Sequence, residues 1–126
     1  MFELTIKDTV YSFNFGMGFM REVNKLIKKP IDGVNGVEQN IGLQFKVASL
    51  MDNDPEALVE VLEIANKGQN PRITRNLLDS YIDDEDTDVD AIFAQVLDFL
   101  SKSNATKKVV AAVQNLVEAE KAKAQN

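Results

Sequence analysis

Residues 2–15 alternate apolar with polar. Phe2, Leu4 and Ile6 alternate with Glu3 and Thr5, and Tyr11, Phe13 and Phe15 alternate with Ser12 and Asn14. A period of two belongs to half-buried strands, so residues 1–15 predict a β-hairpin turning at Lys7-Asp8. No glycine follows the aspartate, so the turn lacks the strongest hairpin signal. A lone hairpin is marginal in water, and this one is expected to lie on helices.

After Gly16 the period becomes helical. Phe19, Met20, Val23, Leu26 and Ile27 share one face of a helix predicted from Met17 to Lys28, with Lys28 and Lys29 at its negative end and Pro30 as its stop. Ile31 to Asn35 reads as a loop, punctuated by Gly33 and Gly36. A further helical segment is predicted from Val37 to Met51, with Ile41, Phe45, Ala48 and Met51 as its stripe and Gly42 as a weak point.

The stretch from Met51 to Asp90 is the most readable. Asp54 is an N-cap, Pro55 stands where its missing N–H is harmless, and Glu56 lies at the positive end of the helix. Leu58, Val61, Leu62 and Ala65 repeat at helical spacing. Lys67 and Gly68 close the helix, and Pro71 prevents its continuation. Thr74 caps a short helix carrying Leu77, Leu78, Tyr81 and Ile82. From about Asp88 to Lys102, Ile92, Phe93, Val96, Leu97, Phe99 and Leu100 make a broad apolar face. Asn104 marks a stop. Val109, Val110, Val113, Leu116 and Val117 line a last helix from about Ala105 to Lys121. Residues 118–126 carry charge and no large apolar residue, and are expected to fray. The pattern as a whole predicts an α+β fold, mainly α. An N-terminal hairpin (1–15) precedes about five helices (17–117) in one small domain, residues 1–117.

Composition narrows the function more by absence than by content. The chain has 126 residues, 44% hydrophobic and 27% charged, with no Cys, His or Trp. Lacking Cys, it has no disulfide framework and no cysteine metal site. Lacking His, it is without the commonest general base and metal ligand. A net charge of −6 with no basic face argues against nucleic acid and against anionic membranes. No apolar run is long enough to span a bilayer, and the start Met-Phe-Glu-Leu is not a signal peptide, so a cytoplasmic protein is expected.

Three patterns hint at chemistry and each falls short. In Asp83 to Asp90 the acids Asp84, Asp86 and Asp88 fit positions 1, 3 and 5 of a calcium loop, but Val89 replaces the required Gly and Gln95 the bidentate Glu. This run reads better as a cap on the following helix. Gly16-Met17-Gly18-Phe19 lacks the rest of either nucleotide motif, and reads as a strand-to-helix turn. Arg72 and Arg75 flank a helix start, where an anion could sit, but surface ion pairing suffices for them. No catalytic residue, cofactor or metal is expected.

The order of elements resembles the tail assembly chaperones of long-tailed, siphovirus-type bacteriophages of Gram-positive hosts. The likeness lies in FNFGMGFMREVNK (13–25), MDNDPEALVEVLEIANKG (51–68), PRITRNLLDSYIDDEDTDVDAIFAQVLDFLSKSNATKK (71–108) and the charged helical tail. It implies a non-enzymatic protein of the host cell cytoplasm, absent from the mature virion. Such a protein binds the tape measure protein, keeps it soluble and helps recruit tail-tube protein. In many phages of this kind a translational frameshift also makes a longer form, which would be a further partner; a homo-oligomer of the chain itself is a separate expectation. A different class, a helical adaptor or regulatory module binding a host protein, fits the same composition.

An interface for amphipathic helices uses the same spacing as a core, so pattern alone does not separate the two. The face from Ile92 to Leu100 is wider than one neighbour needs, and the last helix ends in a polar tail. Phe93, Leu97, Leu100, Val110, Val113 and Val117 are therefore the expected protein-interaction residues.

Overall fold

A computed structural model describes residues 1–124. Strand β1 (Phe2–Ile6) pairs antiparallel with β2 (Thr9–Phe13), in a register that sets Phe2 opposite Phe13 and Ile6 opposite Thr9. Lys7 and Asp8 form the turn at φ 50° and 67°. Both central residues are left-handed, as the right-handed twist of a two-residue hairpin requires. Phe2, Leu4, Ile6, Tyr11 and Phe13 face inward. The ladder stops before Phe15, because the Asn14 N–H turns away and donates to the Ala65 carbonyl at 2.8 Å.

Helix α1 (Met17–Asn24) buries Phe19 and Val23 and ends short of the expected Lys28. Lys28–Pro30 instead forms strand β3, paired antiparallel with β4 (Glu38–Asn40). The expected helices over 17–28 and 37–51 thus each lose the end that borders this ribbon. Proline disfavours helical backbone at the residue before it, which sends Lys29 extended. Gly33 and Gly36, at φ 79° and 76°, turn the chain back. All residues of β3 and β4 are exposed.

Helix α2 (Gly42–Met51) buries Gly42, Leu43, Val47 and Leu50. Of the expected stripe Ile41, Phe45, Ala48 and Met51, Phe45 and Ala48 are exposed, Ile41 is half-buried and Met51 packs partly against the core. Gly42 lets α2 come close to the backbone of α1 at Val23, and the face that carries Leu43, Val47 and Leu50 turns inward.

Helix α3 (Pro55–Asn66) is the centre of the molecule, packed against α1, α2, β2 and α4 (Arg75–Asp83). Ala57, Leu58, Val59, Val61, Leu62, Ile64, Ala65 and Asn66 are all buried along it. A helix buried nearly all round has neighbours on nearly all sides. Its start is as read from sequence: the Glu56 N–H donates to Asp54 Oδ1 at 3.0 Å, with Pro55 at the first position. Thr74 caps α4 through the Leu77 N–H at 3.2 Å.

Helices α5 (Val89–Lys102) and α6 (Lys107–Ala124) complete the fold and pack on each other and on α2. The hairpin and six helices make a small α+β domain, mainly helical. Two hydroxyls tie the α5–α6 corner: Ser103 Oγ donates to the Phe15 carbonyl at 2.7 Å, and buried Thr106 Oγ1 donates to the Leu100 carbonyl at 2.6 Å. The residues expected to fray are helical as far as Ala124, consistent with their alanine, glutamate and lysine content. Gln125 and Asn126 lie outside the described residues.

Candidate interaction surface

The polar residues that invited chemical readings are occupied with structure. Asn66, fully buried, donates through Nδ2 to the carbonyls of Ser12 (2.9 Å) and Pro71 (3.3 Å). Its Oδ1 accepts from Ile73 N–H (2.7 Å) and Arg72 Nη1 (2.9 Å). Arg72 also reaches the Glu63 carbonyl at 2.8 Å, and Arg75 pairs with Glu56 and Glu63. These guanidinium groups therefore join α4 to α3. In the acidic run, Asp88 Oδ1 accepts from the Ala91 N–H at 3.1 Å and caps α5, while Asp84 Oδ1 accepts from the Asp86 N–H at 2.9 Å. Among the described residues no three Asp, Glu, His or Cys side chains converge as metal ligands would. Gly16 is the N-cap of α1, so the glycine pair is a strand-to-helix turn.

What stands out on the surface is apolar. Helices α2 and α6 leave an open groove of about 610 Å³ between them, lined chiefly by Ile41, Phe45, Ala48, Ala112, Val113, Leu116 and Val117. Phe45 is 55% and Leu116 67% exposed. Large apolar side chains this open, on two helices and lining one groove, form a contiguous patch of the kind that marks interaction sites. Glu120 and Lys121 close one end. No helix among the described residues is long and apolar enough to cross a membrane.

The six residues expected at an interface divide by depth. Phe93, Leu100 and Val110 are in the core, at 4%, 1% and 2% exposure. Val113 is buried, yet it lines the floor of the α2–α6 groove with the half-buried Val117. Leu97 is half-buried in a second, more polar cleft between α5 and α6, which Val110 and Val117 also line. Phe45 is not among the six, although it is one of the most exposed apolar residues of the groove. The available signal was a segment with two candidate stripes, Ile41-Phe45-Ala48 and Leu43-Val47-Leu50. A helix with apolar residues on both sides has a second surface to cover, either in the core, as in α3, or against a partner.

Phe99 makes a smaller patch at the other end of α5. It is 38% exposed and its ring lies 5.2 Å from that of Phe2, at the edge of an aromatic cluster with Phe13, Phe15 and Phe19.

No curated protein and no solved structure matches the chain. Residues 3–114 match the family described as phage tail assembly chaperone protein, TAC, which takes in the hairpin, all of α1 to α5 and the first half of α6. The match spans most of the chain, and an exposed apolar groove accords with it: this protein belongs to the phage tail assembly chaperone family.

Proposed function

We propose that the α2–α6 groove is where this chaperone holds its client, and that the client is an amphipathic helix of the tape measure protein. The observation that carries the reading is the exposure of Phe45 and Leu116 along one apolar groove in a member of a tail assembly chaperone family. A helix laid in a groove is read through anchors at i, i+3, i+4 and i+7, and the groove supplies apolar walls to receive them. Alanines at Ala48 and Ala112 keep part of its lining shallow. Covering a client's apolar stripe keeps that client soluble, and the net charge of −6 repels other copies of the complex.

On this reading the protein acts in the host cytoplasm, without catalysis, and is left out of the finished virion. It hands the tape measure protein to tail-tube protein, alone or with a longer frameshifted form of itself. Of the six residues expected at the interface, Val113 and Val117 contact the client. Phe93, Leu100 and Val110 belong to the core, and Leu97 lies in the separate α5–α6 cleft.

The test is co-expression with the tape measure protein followed by affinity capture. Phe45→Glu/Leu116→Glu alters exposed residues, so the variant should fold as the wild type does by circular dichroism. Fully burying a large apolar side chain contributes about 1.5–3 kcal/mol, so losing two anchors abolishes a micromolar contact. Undiminished capture by the folded variant would place the client elsewhere, with the exposed hairpin residue Val10 next to be changed.

A further inference from the structure

A ridge of α6 runs Lys108, Ala112, Leu116, Glu120, at four-residue spacing, and all four are exposed. Residues so spaced lie along one line of a helix surface. The ends of the ridge carry opposite charges. Its middle sets one large apolar residue beside one small one. Neither Lys108 nor Glu120 takes part in the ion pairs found among the described residues.

This ridge is its own complement. A two-fold axis midway between Ala112 and Leu116 brings Lys108 opposite Glu120 of a second copy and Ala112 opposite Leu116 of that copy. The same two pairings then recur in reverse. We infer that the Lys108–Glu120 ridge is the contact of an antiparallel α6–α6 homodimer. Ridges at four-residue spacing packed side by side are the commonest form of helix packing in globular proteins. A parallel arrangement would set Lys108 on Lys108 and Glu120 on Glu120, so charge selects the antiparallel one. A foreign helix would have to match this order of charge and size, whereas a second copy matches it by symmetry. The contact is isologous and closes at two chains.

The dimer geometry stands on α6 alone. Its consequence rests on the client reading, because Ala112, Leu116 and Glu120 serve both: in the absence of client each copy covers part of the other's groove, and the client displaces it.

Sedimentation velocity of the full chain, from low to high micromolar concentration at low ionic strength, tests the ridge. The wild type dimerises, and less so as salt rises. Lys108→Glu and Glu120→Lys each set like charges at both ends, and each weakens the dimer by about tenfold or more. The double reversal Lys108→Glu/Glu120→Lys restores it to near the wild-type affinity. Leu116→Ala weakens it without rescue. A monomeric wild type, single reversals that dimerise normally, or a double reversal that fails to recover would overturn the proposal. Circular dichroism checks that all variants fold, which exposed helix positions given strong helix formers favour. Client capture separates the two readings. Lys108→Glu keeps Phe45 and Leu116, so it captures the tape measure protein at least as well as the wild type. Capture by wild type that is lost in Lys108→Glu would overturn the competition. If neither captures client while the charge swap still rescues the dimer, the groove reading fails and the ridge stands.

Discussion

Gly42 on α2 faces the carbonyl oxygen of Val23 on α1 so closely that a Cβ at position 42 would collide with it, and would lie 3.0 Å from the Asn24 carbonyl oxygen. The obstructing atoms are backbone, held by α1 itself, so they cannot swing aside as a side chain end would. Gly42→Ala is therefore expected to destabilise by about 1–3 kcal/mol, the usual range for overpacking. Helix propensity alone predicts the opposite sign, since alanine is better than glycine by about 1 kcal/mol in a helix interior. The midpoint of urea denaturation decides, and an unchanged or higher midpoint would show that α1 and α2 are not in this contact.

Asn66 joins three segments, from Ser12 on β2 to Pro71, Arg72 and Ile73 ahead of α4. Asn66→Ala leaves the Ile73 N–H without its acceptor in a buried place. An unsatisfied buried group costs about 1–3 kcal/mol, and a loss in that range is expected from equilibrium unfolding. Asn66→Asp loses more, because it turns the two carbonyls of Ser12 and Pro71 toward a carboxylate. A variant within experimental error of the wild type would remove Asn66 from the role of hub.

The β1–β2 turn uses Lys7 and Asp8, both at positive φ, where Asn-Gly is preferred. Replacing the pair by Lys7→Asn/Asp8→Gly is expected to stabilise by about 1 kcal/mol, since most side chains resist the left-handed region. A rise in melting temperature checks it; a fall would mean that Lys7 or Asp8 makes a contact worth more than the backbone strain.

Stability should also separate the groove from the core. Phe45→Ser and Leu116→Ser are expected to change stability by no more than about 0.5 kcal/mol, as substitutions at exposed positions do. Leu58→Ala, in the middle of α3, is expected to lose about 2–5 kcal/mol. If Phe45→Ser proves as damaging as Leu58→Ala, Phe45 belongs to the core and the groove is closed in solution.

Local chemistry is where the sequence was most informative. The caps of α3, α4 and α5 are formed by Asp54, Thr74 and Asp88 as their positions imply. A cap depends on a side chain and a backbone N–H two or three residues away, so no distant part of the chain is needed to specify it. The hairpin is legible for the same reason: alternation sets which side is buried, and a two-residue turn sets the register. The central place of α3 follows from apolar residues on nearly every side of it.

Tertiary structure alone decided the rest. Leu43-Val47-Leu50 and Ile41-Phe45-Ala48 are equally good helical stripes, and the choice between them was made by the packing of α2 on α1, α3, α5 and α6. The β3–β4 ribbon was hidden because all its residues are exposed, so no alternation marks it. Interface and core likewise share one pattern along α5 and α6. Phe93, Leu100 and Val110 are buried in the core, whereas Leu116 lines the groove between α2 and α6 and stays open. Period reports which residues share a face of an element; only the packing of distant elements determines which face meets the interior and which is left for a partner.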